Sequence, residues 1–371
     1  MIKIIKKIGQ VLFQSLGHQL FFLVYGKIEG IIDNSKEKKL LLKTSKLDDH
    51  SYKVYQVDGG RLYTDTINDT AIIINNKIVE GPSFQFRPVK NSDIKNNIVF
   101  KKGTPRIKKN INGIVLSLLT GGGGNSNYWH WLFDVLPRIK LADEIFDYKK
   151  IDNFLVPSIK KKFQIQSLDL LNINKNKILP SNEFRHISAT SLIAVDHPYV
   201  LKNDPSIEIQ HMPKWIIEWL RYSFLTKNNI LKKSIFKKIY IERSNVDDKN
   251  TIRRKITNEN EVKSVLLKNN FHSIKPETLS FNEQVNLFSS ADFIVGLHGA
   301  AFANIVFSRK NTKILEIQST GTADVIKNLA INSELLYDRI TIKPHSENLN
   351  NQDGHMLVSI DELEKKIAEF K

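Results

Sequence analysis

Apolar and polar positions follow two different rhythms along this chain. Over residues 50–120 the apolar residues come in short, turn-punctuated runs, which predict strands at 52–57, 71–74, 77–79 and 114–119, with Asn75-Asn76 turning the second into the third. The stretch 128–144 changes to helical spacing, and from there strands and helices alternate. Strands are predicted at 153–157, 191–195, 238–242, 272–274, 293–296 and 313–317. Helices are predicted at 213–224, 260–268 and 280–289, with the core of a short one at 304–307. Apolar strands separated by helices of roughly ten residues imply a parallel sheet covered on both faces.

Two amphipathic segments frame this series. Residues 2–16 place Ile5, Ile8, Leu12 and Leu16 at helical spacing with Lys on other faces. Such a helix either lies in an anionic interface or docks on its own domain. The last helix, 360–370, carries Leu363, Ile367 and Phe370 on one side, so it has to dock on something. A chain of 371 residues is too long for one ordinary small domain. The pattern divides it into an N-terminal helix (1–30), an irregular α/β domain (31–227), a doubly wound domain (228–345) and a C-terminal return helix (346–371). The Lys-rich 227–238 stretch reads as a linker.

Composition narrows the chemistry. The chain has no Cys, so disulfides, thiolate metal sites and a Cys nucleophile are excluded. The net charge of +16 comes from Lys much more than from Arg, and the Lys runs are not interleaved with aromatics along one element. The excess therefore reads as solvated surface and compositional drift, with attraction to an anionic membrane second; nucleic acid is not an expected partner. The apolar run near the N-terminus is broken by Gln14, Gly17, His18 and Gln19 and falls short of the ~20 residues that span a bilayer. A cytoplasmic protein is expected, peripheral on the inner membrane face if the N-terminal helix touches lipid.

Three segments carry candidate chemistry. In the second domain a strand ends at Glu242-Arg243, and Arg253-Arg254 follow; three guanidinium groups near a strand end can hold a diphosphate without metal. A second strand runs into Gly296-Leu297-His298-Gly299-Ala300 and then a helix through Asn304, where small residues admit a phosphate to free backbone N–H groups. Glu316, at the end of the next strand, is placed either to accept from a ribose hydroxyl pair or to act as a structural cap. In the first domain Gly121 to Gly124 lead into Asn127-Tyr128-Trp129-His130-Trp131. His130, Asp134 and Arg138 recur at i, i+4 and i+8 on one helical face, suited to a general base facing an acceptor hydroxyl. Asn127, Tyr128, Trp131 and Arg138 complete the expected acceptor-binding set, although core packing competes for the aromatics.

These three segments, in this order, resemble glycosyltransferase family 61, which includes bacterial capsule enzymes. The resemblance covers about residues 121–316. It implies a GT-B fold: two Rossmann-like domains facing across a cleft, the donor in the second, and a C-terminal helix packing back on the first. It also implies an inverting, metal-independent transfer from a nucleotide sugar, with UDP the expected nucleotide, to a glycan acceptor. The Lys-, Asn- and Ile-rich composition suggests a low-GC bacterium, where such an enzyme is expected to build capsule or lipopolysaccharide, its basic N-terminal helix holding it near a lipid-linked glycan acceptor. Carried over by position, Arg243 and Arg254 bind the diphosphate, His298, Gly299 and Ala300 line the nucleotide, and His130 with Asp134 faces the acceptor, one of the two being the base. Arg253, Gly296, Asn304 and Glu316 join the expected donor-binding set from the residue pattern alone. No cofactor or metal is expected. The rival reading is a non-catalytic glycan-binding assembly protein of the same fold.

Overall fold

The structure, a computed structural model, describes residues 17–85, 93–120, 122–200, 205–226, 234–243, 254–344 and 354–370. The amphipathic stretch 2–16 and Arg253 lie outside the described residues. Among those described, residues 17–25 are helical, and no helix is long and apolar enough to cross a membrane.

The chain divides into two compact units, residues 1–161 with 173–205, and residues 162–172 with 206–371. The passage at 205–206 comes before the Lys-rich stretch because the helix Lys214–Arg221 is bound into the second unit. Its Arg221 guanidinium donates to the carbonyls of Val306 (2.6 Å) and Ser308 (2.8 Å). Residues 162–172 join the same unit, where Gln166 Oε1 accepts from the Phe281 backbone N–H at 2.8 Å.

Among the described residues, the first unit is built on an 11-stranded mixed sheet. Its strands are β1 (Gly30–Ile31), β2 (Leu40–Leu47), β3 (His50–Asp58), β4 (Arg61–Thr64), β5 (Asp69–Ile74), β6 (Lys77–Ile78), β7 (Phe84–Gln85), β8 (Lys109–Ser117), β9 (Asn153–Val156), β10 (Ile178–Pro180) and β11 (His186–Val195). The antiparallel half contains the predicted Asn75-Asn76 turn, with φ of 49° and 58°, the left-handed values of a two-residue hairpin. The other half is parallel: β9 lies between β8 and β10, and β11 pairs with the opposite edge of β8. The chain thus moves outward from β8 through β9 to β10, then returns to the other side of β8.

Among the described residues, the second unit holds a five-stranded sheet of β12 (Lys238–Ile241), β13 (His272–Ile274), β14 (Phe293–Leu297), β15 (Lys313–Ser319) and β16 (Leu336–Ile342). All neighbours are parallel, in the order β13-β12-β14-β15-β16. The helix Glu259–Lys268 packs with Ile360–Glu369, while Phe281–Ser290 packs with Ala300–Phe307, which packs with Val325–Asn332. Since the sheet grows in opposite directions across these crossovers, right-handed connections place the two groups on opposite faces. Val325–Asn332 and β16 were not predicted, because β16 is an edge strand whose Tyr337, Asp338 and Arg339 are only partly buried.

The last helix corrects one expectation. Instead of returning to the first domain, it packs on the second unit's own sheet. Leu363 and Ile367 join the buried cluster of Val262, Phe293, Val295 and Leu315, and the Phe370 ring meets Phe293 edge-on at 5.2 Å. That apolar stripe covers a face of the sheet that would otherwise be wet. Leu363→Ala is expected to destabilise the second unit by ~2–5 kcal/mol in urea unfolding, against less than ~0.5 kcal/mol for the exposed Lys365→Ala.

Candidate active site

The first candidate cluster forms where the two parallel directions of the first sheet diverge. In an open α/β sheet the loops leaving the strand carboxyl ends at such a point bound a crevice. Here β8 delivers Thr120 and the helical segment from Tyr128, and β11 delivers Asp196 to Tyr199. The helix starts with Asn127, whose side chain accepts from the Trp129 N–H, and passes through a π-helical turn at Trp131–Val135 before Pro137–Asp143. Such a turn is common where a helix must aim a side chain.

Asp134 is the centre of the cluster, and it is fully buried. Its Oδ2 accepts from His130 Nδ1 at 2.8 Å and from the Thr120 hydroxyl at 3.4 Å, and its Oδ1 accepts from the Tyr199 hydroxyl at 2.6 Å. His197 Nε2 approaches Oδ2 at 3.7 Å. The His197 Nδ1 accepts from the backbone N–H of Tyr199 and Val200, so the ring proton sits on Nε2 and faces Asp134. Burial by itself would raise the Asp134 carboxyl, but His130 and His197 hold it well below the usual carboxylate range. Burial alone would lower His130; the Asp134 charge and hydrogen bond outweigh it, and the imidazole pKa rises above 6.5. With Nδ1–H committed to Asp134, the basic nitrogen of His130 is Nε2, and its side chain is 20 % exposed against 1 % for Asp134.

The expected i, i+4, i+8 stripe is therefore a layered arrangement. Arg138 is buried beneath it, donating Nε to the Asp134 carbonyl and Nη1 to the Val195 carbonyl, and burial pushes its guanidinium down to about 10. Trp131 is fully buried, so it offers no ring face to a sugar, and Tyr128 is buried too. Asn127, the helix cap, is exposed. His197, Tyr199 and Thr120 were not singled out from sequence. Asp196-His197-Pro198-Tyr199 follows directly on a predicted strand, which is the signal that could have found them.

The second cluster sits at the corresponding place in the second sheet, between β12 and β14, where the strand order reverses. Arg243 leaves β12, is exposed, and reaches the His298 carbonyl with Nη1 at 3.4 Å. A Cβ on Gly299 would lie 3.7 Å from the same nitrogen, so the backbone here runs close beside the guanidinium. Gly296 serves packing: its Cβ would meet Ile241 at 3.0 Å and Phe302 at 3.2 Å. The helix Ala300–Phe307 starts at Gly299 with no side-chain cap. His298 Nδ1 donates to Glu316 Oε1, and Tyr337 donates its hydroxyl to Glu316 Oε2 at 2.6 Å. Both Glu316 oxygens are thus engaged inside the sheet and the residue is buried. Asn304 is fully buried and donates to Gln284 Oε1 and the Ala301 carbonyl. Ala300 is half-buried beside the cluster, and Arg254 is half-buried ahead of the Ile256–Met356 bridge. Tyr337 carried no sequence signal.

The geometry fixes a pH response of stability. The Asp134 pKa is depressed from 3.8 on folding, so its stabilisation is fully present above that value and is lost as the pH falls from there through the lower folded value. The His130 pKa is raised from 6.5, so its contribution is present below 6.5 and is lost as the pH rises through the folded value. In denaturant titrations the stability gap between wild type and Asp134→Asn is expected to shrink from pH 6 down to pH 3. The gap to His130→Gln is expected to shrink from pH 6 up to pH 8; a gap flat in pH refutes the ion pair.

A search among curated proteins finds no match. The family model of glycosyltransferase 61 matches residues 128–315, from the start of the His130 helix to the strand that carries Glu316. That match takes in Asp134, His197 and Tyr199 in one cluster and Arg243 and His298 in the other. It covers half of the chain, and the chain belongs to glycosyltransferase family 61.

Proposed function

We infer that this glycosyltransferase moves a sugar from a nucleoside-diphosphate donor to a glycan hydroxyl with inversion, without metal, using a GT-B arrangement of its two units. The observation that carries the reading is that each sheet gathers polar side chains at a switch point among its parallel strands, one set suited to a base and one to a phosphate. Arg243 and the N–H groups at the start of Ala300–Phe307 supply positive potential for the diphosphate. His298, aimed by Glu316 and Tyr337, borders that site, so Glu316 positions a neighbour rather than touching ribose. His130 Nε2 takes the proton of the acceptor hydroxyl, and Asp134 steadies the imidazolium. The acceptor oxygen bonds to the anomeric carbon as the bond to the diphosphate oxygen breaks, and the pair leaves on a nucleoside diphosphate stabilised by Arg243.

A lipid-linked acceptor on the inner membrane face, as in capsule or lipopolysaccharide assembly, is part of the proposal. It is supported by the helical residues 17–25, whose Leu20, Leu23 and Val24 are 59 %, 84 % and 62 % exposed at i, i+3, i+4 spacing.

Incubation with a panel of nucleotide sugars, UDP-linked ones first, is expected to release free nucleotide with at least one donor, equally with and without EDTA. No release with any donor, with or without glycan acceptors, favours a glycan-binding protein instead. His130→Ala is expected to lower kcat by about 10²–10⁴. In wild type kcat/KM is expected to rise with pH through the raised His130 pKa, a limb the variant loses. Arg243→Ala is expected to raise the donor KM, and Tyr337→Phe to cost about fivefold through loss of one hydrogen bond.

A further inference from the structure

The second sheet has chemistry at both ends. At the amino ends of β12, β14 and β15, opposite the Arg243–His298 cluster, lies a cavity of about 540 Å³. That size lies within the usual range of small-ligand sites, ~300–1,000 Å³. Among the described residues, Lys237, Lys238, Arg309, Lys310 and Lys313 line it together with one acid, Asp292. Its apolar wall is Phe293, Ile367 and Phe370. The rim is tied by the backbone: the Lys237 carbonyl accepts from the Asp292 and Phe293 N–H groups, and the Lys313 N–H donates to the Asp292 carbonyl at 2.9 Å.

The charges do not cancel. Arg309 is paired with Asp292, and Lys310 with Glu334. Lys237 and Lys238 place their ammonium groups on neutral carbonyls, those of Ser290 and Asn269, each at 3.1 Å. With Lys313 they leave three cations at one concave site that no carboxylate among the described residues pairs. A monocarboxylate would neutralise one of them. A phosphate ester carries up to two negative charges and several acceptor oxygens, and an attached hydrocarbon would meet the Phe293–Phe370 wall.

We propose that this cavity binds a phosphate ester bearing an apolar group, at a site separate from the sugar-transfer clusters. The ester comes either from an anionic lipid headgroup or from a free phosphorylated molecule. Isothermal titration of the full chain is expected to show one-to-one binding of octyl phosphate, tighter than inorganic phosphate. Lys237→Glu and Lys313→Glu, made separately, are each expected to weaken octyl phosphate about tenfold. Phe370→Ala is expected to weaken octyl phosphate and leave inorganic phosphate unchanged. Lys36→Glu, at a side chain 83 % exposed on the first unit, is expected to change neither. Sedimentation with phosphatidylcholine vesicles, with and without phosphatidylglycerol, separates the sources. Loss of the phosphatidylglycerol-dependent fraction in both charge variants assigns a headgroup; sedimentation that stays unchanged while octyl phosphate binding falls assigns a free ligand. Absence of octyl phosphate binding, or binding as tight in both charge variants as in wild type, overturns the site. Lys237 is exposed, so its variant is expected to unfold in urea at the wild-type midpoint, and a change in its binding then reports on the cavity itself.

Discussion

Two consecutive strands that pair in parallel cannot be joined by a tight hairpin; the chain has to leave the carboxyl end of the first, cross over and re-enter from the far end. Much of this protein's functional layout follows from that constraint. It applies to β8 through β11 in the first unit and to every strand of the second. At one point in each sheet successive crossovers diverge to opposite sides, and the loops there cannot close over one another. The loops after β8 and β11 bring together Thr120, His130, Asp134, His197 and Tyr199; those after β12 and β14 bring together Arg243, His298 and Gly299.

The two clusters solve the problem of a buried carboxylate in the same way. A carboxylate taken out of water is costly unless its oxygens are bonded and its charge is met. Asp134 accepts from a histidine Nδ1 and, at 2.6 Å, from the Tyr199 hydroxyl. Glu316 accepts from a histidine Nδ1 and, at 2.6 Å, from the Tyr337 hydroxyl. In each case the acid settles which ring nitrogen holds the proton, and the tyrosine removes the carboxylate's freedom to turn. The difference lies in what the histidine borders: a helix face at the first cluster, a guanidinium and a helix start at the second.

The opposite end of the second sheet shows what basic composition becomes once it is folded. Lys residues scattered through the sequence as short runs converge where β12, β14 and β15 begin, and the last helix supplies an apolar wall beside them. A surplus of +16 spread over a surface has little specificity; here three cations that no carboxylate among the described residues pairs stand around one concavity.

The strand–helix alternation, the Asn75-Asn76 turn and the position of His298 at a strand-to-helix turn were legible in the sequence, because they rest on local periodicity and on the backbone freedom of small residues. His130 and Asp134 were legible as a pair because i and i+4 on a helix are neighbours by geometry alone. Tertiary structure decided the rest. It buried Trp131 and Asn304, since a run of aromatics or a polar side chain carries no mark of which way it faces. It turned Glu316 inward, and it brought His197, Tyr199 and Tyr337 to carboxylates 63, 65 and 21 residues away in the chain. It also docked the final helix on the second sheet, where Phe293 met Phe370. Contacts of that kind depend on which strands lie side by side, and strand order is set by the summed burial of the whole sheet rather than by any local stretch of residues.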